Sequence, residues 1–324
     1  MLTDDTIIFA LTSSVDLAKK IADKLMLPLG DVKVEHFADG EILVTPKQTV
    51  RGRSVFIVQS TCPPATEHLM EVLVCIDALK RASAGEINVI MPYYGYARQD
   101  RKAAPRQPIT AKLVADLLQT AGADRIVTVD LHAAQIQGYF NLPTDDLQAG
   151  PLLGNYFLNN PEIDLDNVVV VSPDHGGVTR ARRLAEIFNA PIAIVDKRRP
   201  RPNEVEAQNI IGEVEGKIAI VIDDICDTGG SLVAACNMVK DHGAKDVYAA
   251  ITHGVFSHNA LEKIENSSIK KLIISDTIPL SEEQKAQTTK VVQLSVAEML
   301  AETIAAIENH TSVATVYNRY QRNK

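Results

Sequence analysis

The chain has 324 residues, of which 46% are hydrophobic and 23% charged, and a formal net charge of −8. That is enough for two domains with separate cores, and the acidic balance argues against general affinity for nucleic acid. Four cysteines (Cys62, Cys75, Cys226 and Cys236) show no paired metal-ligand spacing and are too few for a disulfide framework, so free thiols in a reducing compartment are expected.

From the N-terminus, Met1-Leu2-Thr3-Asp4-Asp5 carries acids where a secretory signal carries Lys or Arg. No apolar run approaches the ~20 residues that span a bilayer, and a cytoplasmic protein without membrane contact is expected. Short β-branched runs predict strands over Ser54–Gln59, Ile87–Met91, Ile126–Val129, Val168–Val171, Ile192–Val195, Ile218–Ile222, Val247–Ile251 and Leu272–Ile274. Helical spacing falls between them, notably over His68–Ala82, Thr110–Thr120, Val178–Phe188 and Ser231–His242. The alternation predicts an α/β protein with mainly parallel sheets flanked by helices, whose ligands sit beyond the carboxyl ends of the strands. The two halves look alike. The Pro-, Asn- and Gly-containing stretch Pro143–Asp166 is the expected boundary, dividing the chain into 1–148 and 149–324.

Five segments at predicted strand ends carry candidate chemistry. Tyr93-Tyr94-Gly95-Tyr96-Ala97-Arg98-Gln99-Asp100-Arg101-Lys102 mixes aromatics and cations, which suits stacking on and clamping a polyphosphate nucleotide, against the plainer reading of a solvated loop. In Ile126–His132 an imidazole sits just past a buried strand, where a structural role competes with a metal or phosphate role. Val168–Val178 reads strand, acid, double glycine, helix. Its Asp174 is a candidate Mg²⁺ ligand or a helix cap, and His175 has no assigned role. Asp196-Lys197-Arg198-Arg199-Pro200-Arg201-Pro202-Asn203 places four cations in one loop, suited to a transferring phosphoryl group.

The last segment is the most informative. Ile218–Ile222 leads into Asp223, Asp224, Asp227 and the turn Thr228-Gly229-Gly230-Ser231 before a helical pattern. Glycines admit backbone N–H groups to a phosphate, hydroxyls donate to it, and the helix turns its positive end towards it. Asp223 and Asp224 are acceptors suited to ribose hydroxyls or a metal. A single helix cap needs neither three carboxylates nor two glycines.

This last segment resembles the ribose-phosphate loop of the phosphoribosyltransferase fold. Taken with Phe37-Ala38-Asp39-Gly40-Glu41, Ala82-Ser83-Ala84-Gly85, Gly95–Arg101, Asp130–Gly138 and Asp276–Leu280, the chain resembles the ribose-phosphate pyrophosphokinase family over nearly its whole length, in its bacterial, phosphate-activated class. The resemblance implies two tandem phosphoribosyltransferase-like domains assembled as homohexamers. The reaction it implies is attack by the C1 hydroxyl of ribose 5-phosphate on the β-phosphorus of MgATP, with AMP as leaving group. Phe37, Asp39, Gly40 and Glu41 would bind the adenine of ATP held by a neighbouring subunit, and Arg98, Gln99, Asp100 and Arg101 would hold the nucleotide. His132 and Asp174 would bind Mg²⁺, and Lys197 and Arg199 would be the catalytic cations, Arg199 also touching ribose 5-phosphate. Asp223 and Asp224 would take the ribose hydroxyls, and Asp227, Thr228, Gly229, Gly230 and Ser231 the 5-phosphate. Two positions depart from the pattern: Pro105 stands where relatives have Ser before Arg106, and Ser312-Val313-Ala314 replaces a Ser-x-Ser signature. Arg51 matches a regulatory cation. With phosphate and ADP as the family's effectors, these departures imply a weakened response to inorganic phosphate. The competing readings are a phosphoribosyltransferase and a catalytically silent regulatory subunit. The cations at Arg98–Lys102 and Lys197–Arg199 argue against both.

Overall fold

The structure is a computed structural model and describes residues 5–198, 207–314 and 316. It divides into two compact units. The first comprises the chain up to Gln148 together with Thr277–Pro279 and the stretch from Ser295 onward into the C-terminal segment; the second comprises Ala149–Asp276 and Leu280–Leu294.

In the first unit the strands are β1 (Thr6–Ala10), β2 (Val32–His36), β3 (Ile42–Pro46), β4 (Ser54–Val58), β5 (Glu86–Met91), β6 (Arg125–Val129) and β7 (Thr144–Leu147). Five of them form a parallel sheet in the order β1-β4-β5-β6-β7, while β2 and β3 pair as a separate antiparallel hairpin. Helices α1 (Val15–Leu25), α2 (Ala65–Arg81) and α3 (Thr110–Ala121) belong to this unit. Residues of β4, β5 and β6 are buried on both faces, which is why these runs read as continuous apolar stretches. The expected boundary stretch carries β7 at the sheet edge and a helix that opens the second unit. β7 reads Thr-Asp-Asp-Leu and has no strand composition; its pairing with β6 makes it a strand.

The second unit holds β8 (Val168–Ser172), β9 (Ile192–Arg198), β10 (Ala207–Ile211), β11 (Ile218–Cys226), β12 (Asp246–Gly254), β13 (Ile269–Ser275) and β14 (Val291–Leu294). Their order is β10-β9-β8-β11-β12-β13-β14, parallel throughout except for the β10 edge. Helices α4 (Gly150–Leu158), α5 (Val178–Phe188), α6 (Gly230–Asp241), α7 (Ala260–Glu265) and α8 (Glu282–Ala286) accompany it. The two sides of this sheet are covered by separate apolar clusters, one including Val221, Leu232 and Val239, the other Phe157, Leu184 and Ile220.

The last helix, α9 (Ala297–Glu308), returns to the first unit and packs along α1. Its end is pinned where the first sheet begins: Thr6 Oγ1 and Ser54 Oγ each donate to the Glu308 carboxylate at 2.6 Å. A second polar knot ties α2 to the ends of β1 and β4. Glu71, fully buried, accepts from the Thr12 hydroxyl at 2.7 Å and from Gln59 Nε2 at 2.7 Å. Such a buried carboxylate is tolerated because its lone pairs are met.

Asn88 is the opposite case. It sits in the middle of β5, fully buried, and neither its amide nitrogen nor its amide oxygen has a hydrogen-bond partner among the described residues. Replacing it with an apolar side chain of similar size removes two desolvated polar atoms, worth about 1–3 kcal/mol. Asn88→Leu is expected to raise the denaturation midpoint without changing activity; a lower midpoint would mean that Asn88 has a partner that this reading lacks.

Candidate active site

The topology of the second unit opens a crevice. β8 continues sideways to β9 while β11 continues to β12, so the connections leaving these two adjacent strands run in opposite directions. Ligands of open α/β sheets bind at such a switch point, outside the carboxyl ends. The ladder between β8 and β11 ends at the pair Val171–Val221, whereas β11 runs on beside β12 as far as Cys226. Asp223 and Asp224 therefore belong to the strand itself, on a projecting end longer than the expected Ile218–Ile222.

Arg180, in the first turn of α5, reaches these acids. Its Nη1 lies 3.2 Å from Asp223 Oδ1 and 3.3 Å from Asp224 Oδ1. The Asp224 backbone N–H donates to Asp223 Oδ1 at 2.9 Å. Asp224 is buried and Asp223 half-buried. Burial pushes the Asp223 carboxyl up to about 7. The hydrogen bond and charge of Asp224 act in the same direction, and the Arg180 guanidinium opposes them.

After Cys226 the chain turns through Asp227 and Thr228 into α6. Gly229 precedes the helix with φ +74°, and a Cβ there would lie 3.3 Å from the Ala260 carbonyl oxygen. The N-cap residue Gly229 has no side chain with which to cap the first turn of α6, which begins at the positive end of the helix dipole. Thr228, Gly230 and Ser231 are exposed there. Lys263 of α7 holds the turn through the Thr228 carbonyl at 3.0 Å.

The turn after β8 is a smaller version. Asp174 is exposed, its Oδ1 accepts from the Gly177 N–H at 3.0 Å, and Ser172 Oγ donates to its carbonyl at 2.7 Å. One carboxylate oxygen thus orders the turn that leads into α5, without capping the helix itself. His175, without an expected role, pairs through Nε2 with Asp196 Oδ1 at 2.9 Å. Lys197 continues β9, its backbone paired with Gln208 of β10. The Lys197 side chain, Arg199 and the remainder of that loop lie outside the described residues.

In the first unit the candidate residues occupy three places. Phe37–Glu41 is the turn of the β2–β3 hairpin, closed by Phe37 N–H to the Glu41 carbonyl at 2.9 Å and by Glu41 N–H to Asp39 Oδ1 at 3.1 Å. Gly40 has φ +92°, and Phe37 is 52% exposed at the turn. In the loop after β5, Arg98, Gln99 and Arg101 are exposed. Asp100 is buried and accepts from Gln135 Nε2 at 3.1 Å, while Tyr139 donates its hydroxyl to the Asp100 carbonyl. These contacts fasten the loop to the segment that follows His132, itself exposed past the end of β6. The aromatic part of the stacking expectation fails for two residues. Tyr93 and Tyr94 are buried, and Tyr94 packs edge-on against Phe140 and donates to the Ala111 carbonyl at 2.9 Å. They close the core beneath the loop, and the exposed cations remain.

Among the described residues, the group of His, Cys, Asp or Glu donors that converges within 4.8 Å is His36, Glu67 and Glu71, and it includes neither expected metal residue. Mg²⁺ does not demand such a trio, since it takes one or two carboxylates and completes its shell with water and phosphate oxygens. Arg180 is the functional candidate that sequence reading missed. Its signal is a cation in the first turn of a helix, the wrong sign for the dipole there.

The fold defines a phosphoribosyltransferase-type α/β protein with a crevice at the β8–β11 switch point. Residues 6–122 match the model of the N-terminal domain of ribose phosphate pyrophosphokinase, and residues 197–318 match the phosphoribosyl synthetase-associated domain. The chain is 53% identical to a curated ribose-phosphate pyrophosphokinase from Staphylococcus saprophyticus, over 96% of each chain. It is 54% identical to one from Bacillus caldolyticus, over 96% of this chain and 97% of that one. The crystal structure of phosphoribosylpyrophosphate synthetase from Mycobacterium smegmatis superposes with a TM-score of 0.89 at 41% identity, covering 95% of this chain and all of that one. The chain belongs to the ribose-phosphate pyrophosphokinase family.

The raised Asp223 carboxyl has a consequence for stability. In the fold it keeps its proton at pH values where the unfolded chain, with an ordinary value of 3.8, has lost it. Its contribution is therefore fully present below 3.8 and is lost as pH rises towards about 7. In ligand-free protein, Asp223→Asn is expected to flatten the stability–pH curve across that window, measured by denaturant titration at several pH values. An unaltered slope would contradict the assignment.

Proposed function

We propose that the crevice at the β8–β11 switch point binds ribose 5-phosphate, with Asp223 and Asp224 accepting from the ribose hydroxyls and the Asp227–Ser231 turn holding the 5-phosphate on the N-terminus of α6. The chain is an enzyme of phosphoribosyl pyrophosphate synthesis. It transfers the pyrophosphoryl group of ATP to the C1 hydroxyl of ribose 5-phosphate, giving 5-phosphoribosyl 1-pyrophosphate and AMP, a product drawn on for nucleotide, histidine and tryptophan synthesis. The observation that carries the site reading is the juxtaposition of paired acids and an uncapped, glycine-entered helix start on one projecting strand.

No covalent nucleophile is required. Holding the two substrates in line and neutralising developing charge supply the rate. Lys197 and Arg199 meet the charge building on the β-phosphoryl oxygens and on the departing AMP, and Arg199 also touches ribose 5-phosphate. In the first unit Arg98, Gln99, Asp100 and Arg101 hold the nucleotide, while Phe37, Asp39, Gly40 and Glu41 bind the adenine held by a neighbouring subunit of a homohexamer. The exposed Phe37 ring on a tight hairpin turn supports that contact. The hard oxygen donor of Asp174, exposed at a strand end of the second unit, fits Mg²⁺, and the exposed His132 is the metal-binding candidate of the first unit. When bound, the ion supplies charge neutralisation on phosphate oxygens. Cytoplasmic residence agrees with four buried free thiols, and no helix among the described residues is long and apolar enough to cross a membrane.

Purified protein given MgATP and ribose 5-phosphate is expected to release AMP and phosphoribosyl pyrophosphate in equal amounts. Absence of AMP would favour the silent-subunit reading. Lys197→Ala is expected to lower kcat by about 100-fold or more, comparable to losing one preorganised charge donor, with the fold intact by circular dichroism. A near-normal kcat would remove Lys197 from the mechanism.

Phosphate and ADP are the proposed effectors, with Arg51, exposed and bonded to Ser83 Oγ at 3.1 Å, as a regulatory cation. Because Pro105 and Ala314 lack the hydroxyls of the family pattern, activation by inorganic phosphate is expected to be shallow. A steep phosphate titration would show that those hydroxyls are dispensable.

A further inference from the structure

Asp223 and Asp224 are adjacent in sequence and partly or fully withdrawn from water, so without a counter-charge each disfavours ionisation of the other. Arg180 meets both, with one guanidinium nitrogen within 3.3 Å of an oxygen of each. Its own side chain is only 23% exposed. Its position in α5 is otherwise unfavourable: it is the third residue of the helix, at the positive end of the dipole, and the first turn holds no acid of its own. An arginine placed against the dipole and committed to two acids on a neighbouring strand is explained by those acids. The planar guanidinium suits this task, since its N–H groups are fixed relative to one another.

We propose that Arg180 is a positioning residue for ribose 5-phosphate, clamping the Oδ1 atoms of Asp223 and Asp224 so that the pair meets two neighbouring ribose hydroxyls as a fixed acceptor. One guanidinium faces both acids, so the pair shares a single cation. Held together, the paired acids meet the hydroxyl donors, and the phosphate of the same sugar goes to the helix start of α6. The inference rests on the reading of Asp223 and Asp224 as the ribose-hydroxyl acids, and its test separates the two.

Ribose 5-phosphate is titrated calorimetrically into the full-length protein in the presence of a saturating non-hydrolysable ATP analogue, and steady-state constants are measured in parallel. Arg180→Gln is expected to raise the Kd and KM for ribose 5-phosphate by roughly 10- to 100-fold, the span of a charge-assisted hydrogen bond. KM for ATP should stay within about twofold, and Arg180→Lys should recover part of the affinity, since it restores the charge but not the fixed guanidinium geometry. Asp224→Asn serves as the control. If it weakens ribose 5-phosphate binding and Arg180→Gln does not, the clamp is wrong and the acid reading stands. If Asp224→Asn binds normally, the acid reading falls and the clamp with it. If Arg180→Gln weakens both substrates equally and lysine rescues neither, Arg180 is a structural residue of α5 and the proposal is overturned.

Discussion

The second unit is organised by the point at which β8 and β11 stop pairing. Up to Val171 and Val221 the two strands share a ladder and are wholly buried, which demands β-branched apolar residues on both faces. Beyond that pair β11 has a neighbour on one side only, and polar groups become affordable. The acids, the glycine turn and the start of α6 all lie on this projecting end, and the turn after β8 faces the same opening. A register shift of two residues would bring Asp223 opposite Val171, and one of three would bring Asp224 there, inside the buried β8–β11 ladder where a carboxylate has no place.

Electrostatics then divides the labour. Paired acids held by one arginine, an uncapped helix terminus and hydroxyl-bearing turn residues make adjoining sites of opposite preference, one for hydroxyl donors and one for an anion. The proposed ligand, a sugar phosphate, has groups of both kinds. The first unit works differently: its sheet has no comparable divergence, and its candidate residues sit on a hairpin turn and a loop tied down by Asp100, Gln135 and Tyr139. Such polar ties hold an irregular segment in one shape where no apolar face is available to do so.

Sequence patterning revealed those elements whose composition and burial agree. The Val168–Val171 and Ile218–Ile222 runs, and the helices at Thr110, Val178 and Gly230, are apolar in the periods that their layers require. β7 was illegible because Thr-Asp-Asp-Leu becomes a strand only through pairing with β6. Tyr93 and Tyr94 misled because an aromatic pair reads the same whether its rings stack on a ligand or close a core. Asp174 stayed ambiguous because it ties the turn before α5 and offers an acid at the crevice together.

The sequence by itself determined the α/β class, the order of strand-end motifs and the family, since each rests on local composition and spacing along one chain. It also held the paired acids and the glycine turn in full. Only the tertiary structure decided that β11 projects past its neighbour, that α9 returns to pack on α1 of the first unit, and that Arg180 meets both acids. These are contacts between residues 43 and more positions apart. Their energy depends on which strands lie side by side, and no local pattern encodes that.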